Sequence, residues 1–286
     1  MKNIVEISDP KYPPLLKKID QPPEKFYYKG NWNAALFEKC LAVVGSRKMT
    51  SYGRQITAKL VSEIAAAGIT IVSGFMYGID ATAHKAALAA GGKTIAVMPC
   101  GIDLIHPEYQ ADLYKEILKN DGLIISEFEG AFPPALWTYP KRNRIVAGLS
   151  LATMVIEAGQ KSGSLITAGL TEKYKRKLFA VPGQLTSTQS KGTLRLIKAG
   201  ASIVTCAQDI LAAYGISNHK ISGEKLRSSN LNKLERNIVE KLQQEPMRID
   251  ALSRLLEVTA SEIGTSVSLM QLKGFLFEEE GKYYVN

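Results

Sequence analysis

Hydrophobic positions between residues 40 and 215 follow two alternating rhythms. Short runs that are apolar almost throughout, Leu41–Val44, Thr70–Ser73, Thr94–Met98, Leu123–Ser126, Thr153–Glu157, Leu178–Val181 and Ser202–Val204, are separated by longer amphipathic stretches. Runs without polar alternation suit strands covered on both faces. The stretches Gly53–Ala66, Asp80–Ala90, Pro107–Lys119, Leu165–Tyr174 and Gln208–Tyr214 read as helices. Strand and helix in repetition predict an α/β fold: a Rossmann-like, doubly wound, mainly parallel sheet with right-handed crossovers.

The rhythm differs at both ends. Residues 1–39 are rich in proline and tyrosine (Tyr12-Pro13-Pro14, Pro22-Pro23, Tyr27-Tyr28). Proline removes donors and disfavours helix, so this part reads as an extended lead-in packed on the core, residues 40–215. Residues 216–229 carry Gly, Ser, Asn, Lys and His with few apolar anchors and read as a linker. From 230 to 286 the pattern predicts three helices, Leu231–Gln243, Ile249–Leu256 and Ser261–Lys273, with Leu234, Ile238 and Leu242 on one face of the first. Asp250 and Thr259 stand where side-chain oxygens cap helices. Phe275-Leu276-Phe277 and Tyr283-Tyr284-Val285, around Glu278-Glu279-Glu280-Gly281, read as a hairpin. Three helices and a hairpin are the order of a small C-terminal winged-helix domain.

Composition narrows the function classes. The chain of 286 residues is 45% hydrophobic, enough for a sizeable core, and carries a formal net charge of +9. A basic surface attracts polyanions, of which nucleic acid is the commonest in the cytoplasm. Cys40, Cys100 and Cys206 are far apart, and so are His84, His106 and His219. They read as reduced thiols and isolated histidines, with no metal site expected. The first residues lack the apolar stretch of a secretory signal, and no apolar run reaches the roughly 20 residues that span a bilayer. A soluble cytoplasmic protein is expected, with no membrane partner.

In open parallel sheets ligands sit beyond the carboxyl ends of the strands, so the loops there hold the candidate chemistry. After the first core strand come Gly45, Ser46, Arg47 and Lys48. A glycine, free amides, a helix N-terminus and two cations suit phosphate. Arginine at position 47 rules out the GxGxxG dinucleotide fingerprint. Ser73 and Gly74 open the second loop, followed by Asp80, read as a helix cap, and His84, read as a hydrogen-bonded structural histidine. The fourth strand leads into Trp137-Thr138-Tyr139-Pro140 and then Lys141, Arg142, Asn143 and Arg144. Bases stack on rings while cations follow phosphates, the chemistry that a single strand requires. Trp137 and Tyr139 are either such platforms or core anchors under the loop. For Arg142 and Arg144 phosphate contact is expected. After the fifth strand, Ser162, Gly163 and Ser164 open a helix and form another anion-receptive nest. No Walker A sequence, Ser-His-Asp or Cys-His pair, or magnesium-binding carboxylate cluster is evident, so no catalytic residue and no cofactor is expected.

Taken in order, Gly45-Ser46-Arg47, Ser73-Gly74 with Gly78-Ile79-Asp80 and His84, Arg142-Asn143-Arg144-Ile145-Val146-Ala147-Gly148-Leu149-Ser150, Ser162-Gly163-Ser164 and Val181-Pro182-Gly183 resemble the DNA-processing protein A family (DprA/Smf). The likeness runs from about Tyr12 to Tyr214. It departs at Leu194, where the family has asparagine, and at Phe75-Met76-Tyr77, bulkier than the family's usual loop. The resemblance implies a non-enzymatic, homodimeric protein that binds single-stranded DNA and helps place the RecA recombinase on it in natural transformation, against competition from single-strand-binding protein. It maps strand contact onto Arg47 and lines the pocket with the loops at Ser73-Gly74, Arg142 to Arg144 and Ser162 to Ser164. The rival reading is an enzyme like the lysine-decarboxylase-like nucleotide phosphoribohydrolases, whose Pro-Gly-Gly-x-Gly-Thr stretch is reduced here to Pro182-Gly183-Gln184.

Overall fold

In the computed structural model, which describes residues 3–216, 231–279 and 281–285, the chain forms two compact units, Met1–His219 and Lys220–Asn286. The first is built on a nine-stranded sheet. Its parallel part comprises β3 (Cys40–Val44), β4 (Thr70–Ser73), β5 (Thr94–Val97), β6 (Leu123–Ser126), β7 (Ala152–Val155), β8 (Lys177–Ala180) and β9 (Ser202–Ile203). The α/β expectation matches this architecture, with strand limits displaced by at most two residues. Apolar side chains alternate between faces as a strand requires. Cys40, Ala42 and Val44 of β3 join one core, while Leu41 and Val43 join the other. Helices α2 (Ser51–Ala66), α3 (Ile79–Ala89) and α8 (Ala207–Ala213) cover the second face through Leu60, Ile64, Ala83, Ile210 and Leu211. Helices α5 (Thr138–Leu149), α6 (Ser164–Lys173) and α7 (Lys191–Lys198) cover the first through Ile145, Val146, Leu149, Ala168 and Leu196. Between β5 and β6, α4 (Ala111–Lys119) packs Leu113, Tyr114 and Ile117 beneath the β6 side of the sheet.

With two strands from the lead-in, β1 (Ile4–Glu6) and β2 (Lys25–Gly30), the order along the sheet is β1-β2-β6-β5-β4-β3-β7-β8-β9. From β3 the chain adds strands in one direction through β6, then returns to place β7 on the other side of β3. The switch point therefore lies between β3 and β7, whose helices leave to opposite faces and open a crevice at the strand ends.

Two features depart from the sequence pattern. The lead-in supplies two antiparallel strands, β1 and β2, the latter pairing Tyr27 with Ser126 of β6. Between them the short helix α1 (Pro14–Lys17) makes one turn, with Pro14 at its start, where the missing donor is not needed. Tyr12, Phe26, Tyr28, Trp32 and Phe37 form a chain of ring contacts that fastens this segment. The second departure is α5, which spans the stretch read as a basic aromatic loop. Pro140 conceals it in the sequence, yet it falls in the first turn, whose amides lack intrahelical partners anyway.

The described part of the second unit contains helices Lys233–Gln244, Ile249–Leu256 and Ala260–Leu272, then an antiparallel hairpin of Leu276–Glu279 and Lys282–Val285. Ile238, Leu242, Leu252, Ile263, Val267, Met270 and Leu276 make its core. Thr259 caps the third helix, accepting from the Glu262 amide at 3.3 Å. Asp250 does not cap: it lies inside the first turn of a helix whose N-cap is Arg248. Asn232 and Glu235 cap the first helix reciprocally. Residues 217–229 of the expected linker lie outside the described residues.

Candidate anion-binding cleft

At the switch point a cleft of about 460 Å³ opens between the loops that follow β3, β4 and β7 and one face of α5. Each wall follows from local chemistry. The β3 loop is held flat against its neighbours: the Ser46 amide donates to the Glu157 carbonyl (2.7 Å), the Lys48 amide to the Ser46 hydroxyl (3.0 Å) and the Ile79 amide to the Ser46 carbonyl (3.2 Å). Gly78, at φ 81°, lets the β4 loop pass against the backbone of Ser46 and Arg47, where a Cβ would collide. Gly74 similarly leaves room for the guanidinium of Arg142.

Arg47 and Lys48 project into solvent at the rim. The Arg47 guanidinium stacks over Tyr139 (5.0 Å) and Tyr77 (5.8 Å). These rings orient the cation without neutralising it. The bulk of Phe75-Met76-Tyr77 thus divides three ways: Phe75 is buried, Met76 lines the cleft and Tyr77 meets Arg47. Tyr139 is no core anchor; it lines the cleft and its hydroxyl meets His106 Nε2 at 2.8 Å.

Arg142 forms part of the floor. It is 4% exposed and donates to the Val97 carbonyl, while its Nε has no protein partner. Burial lowers its pKa to about 10, with Asp80 opposing the shift, so it stays charged at neutral pH. Burial raises the Asp80 pKa, and Arg142 opposes that in turn. Asp80 does not cap α3, whose N-cap is Gly78; it accepts from the Met76 amide at 3.4 Å. On the β7 side, Ser162 and Ser164 share a hydroxyl hydrogen bond of 2.8 Å at the start of α6, and Lys161 is exposed beside them. Four cations, Arg47, Lys48, Arg142 and Lys161, against one carboxylate make the lining positive.

Of the residues singled out in the sequence, Gly45, Ser46, Arg47, Lys48, Gly74, Arg142, Asn143, Ser162, Gly163 and Ser164 line this cleft. Ser73, Lys141 and Arg144 do not. Ser73 is fully buried and donates to the Val43 carbonyl at 2.6 Å. Arg144 is paired with Glu127 at 2.5 Å, and Lys141 lies 3.5 Å from the same carboxylate. Helical geometry explains the split: residues 139, 142, 143 and 146 share one face of α5, whereas 137, 141 and 144 share the other. Trp137 is on that far face, half-exposed among Phe128 and Phe132, with the Lys141 ammonium 5.7 Å from its ring. The sequence reading missed Lys161, Val146, Ile166, Thr167 and Gln189 in the lining. Recognising α5 would have found Val146 by its spacing from Arg142, while Ile166 and Thr167 lie in the first turn of the helix already expected from Leu165.

Behind the floor His84 is fully buried, its Nδ1 2.6 Å from the Thr94 hydroxyl. Burial, helped by the charge of Arg142, lowers its pKa from 6.5 to about 3. The folded protein thus keeps it neutral, and below pH 6.5 only the unfolded chain takes up this proton. The resulting stability is full above pH 6.5 and is lost as pH falls towards 3. His84→Gln is expected to flatten the pH dependence of unfolding free energy by up to one proton, about 1.4 kcal/mol per pH unit, in urea titrations between pH 7 and 5. An unchanged slope would refute it.

Among the described residues no cluster of three or more His, Cys, Asp or Glu side chains is placed to hold a metal, and no helix is long and apolar enough to cross a membrane. Cys40 and Cys100 are buried and Cys206 is exposed; all three are free thiols.

Comparison with known proteins agrees with the fold. Protein Smf from Synechocystis is 33% identical over 96% of this chain and 78% of its own length. The DNA processing protein DprA of Streptococcus pneumoniae is 40% identical over 73% of each chain, and an X-ray structure of that protein superposes with a TM-score of 0.70 at 39% identity over 74% of each. DNA processing protein A from Helicobacter pylori, whose structural description concerns its single-stranded DNA binding mode, matches with a TM-score of 0.67 and 32% identity, covering 77% of this chain and all of the other. The family model described as DNA recombination-mediator protein A matches residues 3–215, the whole of the sheet and its helices, and the chain belongs to that family.

Proposed function

We propose that the cleft binds single-stranded DNA without altering it chemically, and that the protein presents the strand to the RecA recombinase during DNA uptake and recombination. The observation that carries the reading is the convergence of Arg47, Lys48, Arg142 and Lys161 with the Tyr139 ring at one switch-point crevice. Cations that follow phosphates beside a ring that takes a base are what a flexible single strand needs, and a stiff duplex exploits them poorly. The family relationship and the single-strand binding of the Helicobacter pylori protein support the same reading. Displacement of single-strand-binding protein, homodimer formation and a cytoplasmic location complete the proposal.

The second unit fits a winged helix by its three helices and hairpin. Residues 231–286 carry seven Lys or Arg against nine Asp or Glu, while the whole chain is at +9. Phosphate binding is therefore assigned to the first unit alone.

The deciding experiment is a salt titration of binding to an oligo-dT strand and to a duplex of equal length. For the single strand, log affinity is expected to fall with log salt at a slope of about −0.7 per neutralised phosphate, with three or four phosphates engaged, and the duplex should bind more weakly at every salt concentration. Equal affinity for both forms, or a slope near zero, would refute the proposal. Delivery to RecA is tested by strand exchange on DNA coated with single-strand-binding protein, where added protein should shorten the lag.

A further inference from the structure

The cleft depends on how firmly its basic loop is held, and one residue outside the lining holds both ends. Glu157 follows β7 and is 2% exposed. One carboxylate oxygen accepts from the Thr50 amide (2.8 Å) and the other from the Thr50 hydroxyl (2.6 Å). Its carbonyl accepts from the Ser46 amide at 2.7 Å. The segment from Ser46 to Thr50, which carries Arg47 and Lys48, is therefore fastened at each end to the same residue. Gly53, one turn into α2, sits where any Cβ would strike this carboxylate. Glu157 also lies across the switch point from the loop it holds, because β3 and β7 are neighbours.

We propose that Glu157 is a positioning residue for strand binding: it pre-organises the Arg47–Lys48 loop so that little ordering remains to be done when phosphate arrives. The inference rests on the reading that the cleft holds the strand. A carboxylate is suited to the task because it is acceptor-only and meets two donors at once. Glutamine offers one acceptor oxygen for two donors, so either the Thr50 amide or the Thr50 hydroxyl proton loses its acceptor and faces an N–H group instead. A loosened loop must be ordered on binding, which weakens affinity without touching the ligand.

The test is a double-mutant cycle read by fluorescence anisotropy with oligo-dT, with thermal unfolding recorded for each variant. Glu157→Gln is expected to weaken binding about five- to tenfold in the native background. In an Arg47→Ala, Lys48→Ala background it should change affinity less than about twofold, because the groups it positions are gone. The same loss in both backgrounds, or no loss in the native one, would overturn the inference. Should Glu157→Gln fail to fold, Thr50→Val, which removes only the hydroxyl, is judged by the same two comparisons. Full affinity in the Arg47→Ala, Lys48→Ala protein would overturn the reading of the cleft itself and this inference with it. Loss there combined with no effect of Glu157→Gln would overturn this inference alone.

Discussion

Replacing Arg142 by methionine is expected to cost about 3–5 kcal/mol of stability, the largest effect of any substitution in the cleft. Methionine fills much of the volume but leaves the Val97 carbonyl without its donor and Asp80 without the cation that opposes its desolvation. For a unit of this size the loss corresponds to a fall in melting temperature on the order of 10 °C. Its pH dependence identifies the cause. Burial already raises the Asp80 pKa, and removing Arg142 raises it further. An acid with a raised folded-state pKa adds stability at low pH and loses that contribution as pH rises through the folded value. The deficit of Arg142→Met should therefore be largest at neutral pH and shrink as the solution is acidified towards pH 4. Adding Asp80→Asn should recover part of the loss, although Asp80→Asn alone destabilises by stranding Arg142. Urea unfolding of the four proteins at pH 7 and pH 5 measures this. A deficit below 1 kcal/mol, or additive effects of the two substitutions, would show that the pair does not act as one.

This pairing also shows why part of the site could be read from the sequence and part could not. The loop after β3 was legible because its chemistry is local: Gly45 and Ser46 at a strand end, then two cations, then a helix. Strands β3 to β7 were legible for the same reason, since each is a short run buried throughout. The stretch from Trp137 to Arg144 was not, because its meaning depends on a helix that Pro140 disguises. Read as a loop, it offers every cation to the solvent. Wound into α5, it sends Arg142 to the cleft floor and Arg144 to Glu127, seventeen positions away in sequence. Glu127 stands right after β6, yet nothing in the local pattern says that its charge is already committed. Lys161 and Gln189 escaped notice because each enters the cleft through the path of its loop, which spacing alone does not set.

Arg47→Ala is expected to weaken binding of single-stranded DNA by about 1.5–3 kcal/mol, roughly ten- to a hundredfold, while changing stability by less than about 0.5 kcal/mol. The asymmetry follows from what Arg47 touches. It is exposed and its guanidinium rests on the faces of Tyr139 and Tyr77, so removing it opens no buried cavity. What disappears is a planar cation held flat at the mouth of the cleft, able to grip one phosphate through two parallel bonds. Lysine at this position separates charge from shape. Arg47→Lys keeps the salt slope, since one phosphate is still neutralised, but recovers only part of the affinity because an ammonium neither stacks as well nor bonds in pairs. Arg47→Ala lowers the slope by about 0.7, one phosphate's share on a single strand. Tyr139→Ala should behave in the opposite manner, weakening affinity with the slope unchanged, since the ring contributes a stacking surface and orients the cation but carries no charge. Anisotropy titrations with oligo-dT at four salt concentrations separate these outcomes. If Arg47→Ala binds as tightly as the native protein at every salt concentration, the phosphate lies elsewhere and the rim arginine has no part in holding the strand.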